Sequence, residues 1–109
     1  MIMVRAIVRP EKVSEVMSAL MYAGFPAVTK MDVYGRGKQR GIKIGDVTYD
    51  ELSKELLMIV APAKDKELIV ETIMKAARTG SQGAFGDGKV FISPVEESYT
   101  ISSGHRQTE

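Results

Sequence analysis

At 109 residues, with a formal charge of +1, no cysteine and one histidine, the chain has room for one domain and lacks the means for a disulfide framework, a thiolate metal site or a histidine-based triad. The near-neutral balance gives no electrostatic reason to expect nucleic acid or an acidic membrane as partner. An apolar share of 44% beside 27% charged residues is ordinary for a soluble globular domain, one small enough that assembly would add stability.

Residues 3–9 alternate, with Val4, Ala6 and Val8 on one side and Met3, Arg5, Ile7 and Arg9 on the other, which predicts a strand ended by Pro10. This opening is short and has arginines inside its apolar run, so it is expected to be neither a signal peptide nor a membrane span, and the protein is expected to be cytoplasmic. Over 11–23, Val13, Val16, Met17 and Leu20 fall on one helical face, and Gly24 suits the C-terminal cap. Residues 27–34 are β-prone and deliver the chain into a long stretch, 35–54, where Gly35, Gly37 and Gly41 are interleaved with Arg36, Lys38, Gln39 and Arg40. A loop of that length within a small domain is usually functional or disordered. Residues 56–61 then form a continuous apolar run consistent with a strand covered on both sides, stopped by Pro62. Ile69, Ile73 and Ala76 or Ala77 mark a helix over 65–78, with Asp65 and Glu67 early and Lys75 and Arg78 late, as the helix dipole favours. Thr79 and Gly80 close it. A glycine-rich turn leads to a fourth strand at 89–93, ended by Pro94, and the remainder holds one β-prone piece at 99–101 and a loose polar tail containing His105.

The order β-α-β-loop-β-α-β is the ferredoxin-like βαββαβ arrangement, an α+β fold whose four-stranded antiparallel sheet carries both helices on one face. The other face then needs cover. Met3, Ile7, Leu57 and Phe91 are expected there, packed between the subunits of a homo-oligomer or hetero-oligomer. Met17, Met21, Met58 and Met74 are read as core or interface filler.

Two glycine-rich basic stretches, 35–41 and 83–89, each lie where a strand meets a loop, and glycine turns with exposed N–H groups and a lysine suit anions such as triphosphate. Gly83, Gly88 and Lys89 fit most of G-x-x-x-x-G-K. However, Val90 stands where a P-loop needs Ser or Thr for magnesium, and the turn leads from helix to strand, the reverse of a P-loop. From these residues alone, an anion site and a plain glycine turn with a surface lysine both remain open. Gly35, Gly37 and Gly41 miss the dinucleotide fingerprint, whose third glycine would fall at Arg40. Asp46, Asp50 and Glu51 have no histidine or fixed base beside them and read as a solvated loop face. Phe85 and Phe91 do not form the aromatic pairs of an RNA recognition sheet. The chain is therefore not expected to be an enzyme.

The stretches VRAIVRPEK, GRGKQRG, and TG followed by GDGKVF resemble the PII nitrogen-regulatory signal-transduction proteins over nearly the whole chain. Within that family the short loop, IKIGDVTYDEL and SPVEESYTI are most similar to the archaeal nitrogenase-associated branch, the first of its two paired PII-like proteins. The resemblance implies one PII-like domain over 1–109, with a T-loop at about 36–54, a B-loop at about 79–89 and a C-terminal segment at about 95–109. It implies a trimer with ATP or ADP in the clefts between neighbours. Carried over by position, Gly37 and Lys38 meet nucleotide phosphates at the loop base, and Gly86, Asp87, Gly88 and Lys89 form the phosphate-binding B-loop. Ile7 and Thr29 lie around the adenine. Gln39, Arg40, Gly41 and Lys54 meet 2-oxoglutarate, with Gln39 also ligating Mg2+ and Lys54, placed just before the third strand, pairing with the distal carboxylate. An amide oxygen suits that hard ion.

Three departures from the family pattern stand out. Thr100 and Ser102 occupy positions where two arginines reach a neighbour's phosphates, so that Arg106 or a different paired subunit would have to compensate. The T-loop is short and lacks the usual modifiable tyrosine position, Tyr49 being the one at hand, so uridylylation is not expected. Extra residues within 81–85 enlarge the B-loop. The function implied is a nitrogen-status signal protein that binds ATP or ADP and 2-oxoglutarate at subunit clefts and regulates a nitrogenase component through the T-loop. Ammonium would bring inhibition, relieved by 2-oxoglutarate and ATP. The alternative is an effector-insensitive PII-like trimeric adaptor. Either assembles as a homotrimer or with a paired PII-like protein, without nucleic acid or membrane.

Overall fold

The computed structural model describes residues 1–36 and 52–109. Strand β1 (Ile2–Val8) buries its even residues and turns its odd ones outward, as its alternation requires. A 3-10 turn at Pro10–Lys12 leads into helix α1 (Val13–Tyr22), whose Val13, Val16 and Leu20 are buried. At its end Gly24 takes φ +100°, its N–H donates to Met21 O at 3.0 Å, and Phe25 N–H reaches back to Leu20 O at 2.8 Å. These are the paired bonds of a Schellman cap, which needs a residue tolerant of positive φ.

Strand β2 (Thr29–Gly35) and strand β3 (Leu52–Ala61) flank the glycine-rich loop. Helix α2 (Lys66–Ala77) follows, then strand β4 (Gly88–Pro94). The four strands form one antiparallel sheet in the order β2-β3-β1-β4, the ferredoxin-like arrangement. Both helices lie on one face. Leu20, Ile69 and Ile73 interlock there with Val4, Val8, Leu57 and Ile59 to make the core. Each such side chain contributes about 1.5–3 kcal/mol relative to an exposed position.

The outer face carries Met3, Ile7 and Phe91 as expected, but not Leu57. Leu57 pairs with Ala6 and is 1% exposed beneath the helices, while Leu56, Met58 and Val60 point outward. An unbroken apolar run carries no parity, so only the register with β1 reveals which residues face which way. Two loop boundaries also move. Gly35 is the last residue of β2, paired with Leu52 and without positive φ, and Lys54 lies within β3, opposite Val33. The tail is structured as well: β5 (Ser98–Tyr99) and β6 (Arg106–Gln107) form a small hairpin, closed by Thr100 N–H to His105 O at 2.9 Å and turned at Gly104. Among the described residues no helix is long and apolar enough to cross a membrane.

Candidate functional site

The sheet register builds the site. On the outer face one row reads Met31, Leu56, Ile7, Lys89 across β2, β3, β1 and β4. Continuing β1 by one step sets Arg9 opposite Lys54 on one side and opposite Asp87 on the other. The end of the sheet that carries the 36–54 loop thus also carries the glycine turn at 79–89, and two cations lie between them.

The turn is held by Asp87. Its carboxylate accepts from the Thr79 hydroxyl at 2.6 Å, the Thr79 amide at 3.0 Å, the Ala84 amide at 2.8 Å and Arg9 Nε at 3.0 Å. Burial alone would raise this carboxyl. The donors from Thr79, Ala84 and Arg9 outweigh it and hold the group far below the ordinary carboxylate range. Arg9 Nη2 also donates to Phe85 O at 2.7 Å, and Lys54 Nζ donates to Gly86 O. Burial is the main cause that lowers the Lys54 ammonium from its ordinary value; Arg9 beside it lowers it further, while Glu11 and Asp87 act in the opposite sense.

Gly88, at φ +114°, packs directly on the backbone of Ile7. The Lys89 side chain next to it has no hydrogen-bond or ion-pair partner among the described residues, and neither does the Arg78 side chain. Both line a cleft of about 380 Å³ between α2 and β4, floored by Ile73, Met74, Val90 and Ile92. The turn runs from helix into strand, so it is not a P-loop. The turn presents a preformed glycine loop and a lysine whose side chain is unpaired among the described residues.

Of the expected site residues, Ile7, Lys54, Gly86, Asp87, Gly88 and Lys89 come together in one chain. Thr29 does not join them. It sits at the start of the edge strand β2, separated from Ile7 by β3 and by one further row, roughly 10 Å across the strands and about 7 Å along them. Gly37, Lys38, Gln39, Arg40, Gly41 and Tyr49 lie outside the described residues, as does the loop middle at 42–51. Among the described residues there is no group of three or more His, Cys, Asp or Glu that could hold a metal ion.

Arg9 is the residue that the sequence reading passed over. The available signal was its odd position, which places it on the outer face in line with Arg5 and Ile7, one step beyond a strand whose partner begins at the glycine turn.

The sequence matches the family model of nitrogen regulatory protein P-II over residues 1–105. It is 56% identical over 99 residues to the nitrogen fixation nifHD region GlnB-like protein 1 of Methanobacterium ivanovii, covering 91% of each chain. It is 36% identical over 115 residues to the nifHD region glnB-like protein 2 of Methanococcus maripaludis, covering 93% of this chain and 92% of that one. In three dimensions it is similar to PII of Arabidopsis thaliana, crystallised bound to citrate, with a TM-score of 0.79 and 34% identity over 97% of this chain and 84% of that one. The chain belongs to the PII family of nitrogen regulatory proteins, which are signalling proteins and not enzymes. Within it, the similarity is strong to the GlnB-like proteins 1 named for nitrogen-fixation regions of methanogenic archaea, at 48% identity for that of Methanosarcina barkeri and 56% for that of Methanobacterium ivanovii.

Proposed function

We propose that this chain is a cytoplasmic nitrogen-status signal protein acting as a trimer, with ATP or ADP in the clefts between subunits and 2-oxoglutarate beside it. The observation that carries this reading is the tie between Lys54 and Gly86 O, which joins the strand leaving the 36–54 loop to the glycine turn. An anion seated on Lys89 and the turn would sit within reach of the ammonium that also anchors the loop. A carboxylate ligand competing for Lys54 then alters the loop's base. The assembly supplies what one chain lacks, since a neighbour's Thr29, displaced from the site in its own subunit, would close the cleft from the other side.

Mg2+ would take its protein ligand from Gln39 and its other oxygens from nucleotide and effector. The loop's state is read by a nitrogenase component: the target is inhibited when ammonium is plentiful and released by 2-oxoglutarate with ATP. By linkage, target binding weakens effector affinity by the same factor. Relatives named for nitrogen-fixation regions support the target, and their occurrence as proteins 1 and 2 supports pairing with a second PII-like chain.

Calorimetry tests the reading: 2-oxoglutarate should bind in the presence of Mg-ATP and lose binding in Gln39→Ala. Absence of 2-oxoglutarate binding to the wild type under those conditions would reject the sensor mechanism. One observation favours the adaptor reading instead. Thr100 and Ser102 stand where the family has arginines, and Arg106 is paired with Glu97 at 2.9 Å. Partner capture that ignores ATP and 2-oxoglutarate would identify an adaptor.

A further inference from the structure

Arg9 makes two bonds with one guanidinium, Nε to Asp87 Oδ1 at 3.0 Å and Nη2 to Phe85 O at 2.7 Å. The acceptors differ in kind, a carboxylate and a peptide carbonyl, and lie on either side of Gly86. A planar fork fits such a pair, whereas an ammonium is a single point charge.

The second bond constrains a peptide plane. No peptide bond among the described residues is cis, so in the Phe85–Gly86 unit the carbonyl and the N–H point in opposite directions. Drawing the carbonyl inward to Arg9 therefore turns the Gly86 N–H outward, and no acceptor among the described residues takes it. The next plane is fully used: its carbonyl is held by Lys54 and its N–H, that of Asp87, donates to Ala84 O at 3.2 Å. Gly86, at φ +92°, makes the turn between the two planes. Of these two consecutive N–H groups, one is consumed in holding the turn and the other is free.

We propose that Arg9 is a positioning residue for anion binding: by gripping the Phe85 carbonyl and the Asp87 carboxylate together, it aims the Gly86 N–H at a phosphate oxygen of the ligand. This rests on the reading of the turn as a phosphate cradle. It also accounts for how a turn enlarged at 81–85 keeps its shape, since Arg9 braces the far end of the enlargement against β1.

The test uses the full-length protein, its Arg9→Lys and Arg9→Ala variants, calorimetry with Mg-ATP, and the amide resonance of Gly86 without ligand. Arg9→Lys keeps the charge but not the fork, so it should weaken Mg-ATP binding about tenfold, the scale of one misaimed bond to a charged group. The unfolding midpoint should stay near that of the wild type while the Gly86 amide moves in chemical shift and exchanges differently. An affinity within about twofold of the wild type, or an unmoved Gly86 amide, overturns the inference. If the wild type takes no Mg-ATP, the phosphate reading fails by itself, and the Gly86 amide in Arg9→Lys still decides whether Arg9 sets that plane.

Discussion

Gly88 lies so close to Ile7 that a β-carbon built on it would stand 1.7 Å from the Ile7 carbonyl oxygen. The contact is backbone on backbone, so no side chain can give way, and φ of +114° adds strain for any L-residue. Gly88→Ala must therefore separate β4 from β1 at the point where the glycine turn is anchored. It should cost at least about 3 kcal/mol, combining a strained dihedral with a broken ladder. Gly24 is the control: it has φ of +100° but nothing within 4 Å, so Gly24→Ala should cost about 1 kcal/mol. Urea denaturation of both variants measures the difference, and equal costs would mean that the Ile7 contact gives way easily.

A second relationship predicts a pH dependence. Asp32 and Glu55 face each other across β2 and β3, a few residues from the loop, and Glu55 Oε2 is buried without a hydrogen-bond partner among the described residues. A proton shared with the Asp32 side chain is the main cause that raises the Glu55 carboxyl; burial and the Asp32 charge act with it and Lys30 acts against it. A raised group contributes stability that is complete below the ordinary glutamate value and is lost as pH rises through its value in the fold. Glu55→Gln should thus raise the unfolding midpoint at about pH 8 and leave it unchanged at about pH 4. Thermal melts at the two pH values decide it, and a difference independent of pH would show that the two carboxyls share no proton.

Much of this was legible because β1 and the helices advertise their period: Val4, Ala6, Val8, Val16, Leu20, Ile69 and Ile73 all sit where their spacing sends them. What stayed hidden depends on register between distant strands. Leu57 was misassigned because its run has no polar partner to mark a face. Lys54 and Gly35 seemed to be loop residues because glycine and charge are poor strand formers, yet pairing across the loop base carries them into the ladder. The role of Arg9 needs two registers at once, β1 with β3 and β1 with β4. The Thr100–His105 turn is a local pairing of polar residues with no hydrophobic pattern to announce it.

The outer face of the sheet provides a third prediction. Phe91 is 48% exposed and shares this face with Met3, Ile7, Leu56, Met58 and Val60, an apolar surface that a trimer would bury. Phe91→Asp should split the assembly while leaving the monomer folded, because the core lies on the opposite side. Leu57→Ala should do the reverse, destabilising each subunit by about 2–5 kcal/mol through an internal cavity. Sedimentation for the first and denaturation for the second separate the two faces. An assembly indifferent to Phe91→Asp would remove this face from the interface.

The closing hairpin sets the last expectation, on nucleotide affinity. Arg106 Nε bonds Glu97 Oε2 at 2.9 Å, and the Tyr99 hydroxyl donates to the other oxygen at 3.3 Å, so Arg106 is already engaged within its own hairpin. The ion pair is exposed and individually weak, worth at most about 1 kcal/mol. It still keeps the guanidinium beside its own carboxylate. If Arg106 does not substitute, Arg106→Ala should leave Mg-ATP affinity unchanged, whereas Thr100→Arg with Ser102→Arg should raise it by tenfold or more, since charge-assisted bonds to phosphate are among the strong ones. Calorimetry on the three proteins measures both effects. A loss in Arg106→Ala would place that residue at the phosphates despite Glu97, and no gain in the double variant would mean that the hairpin does not approach the nucleotide.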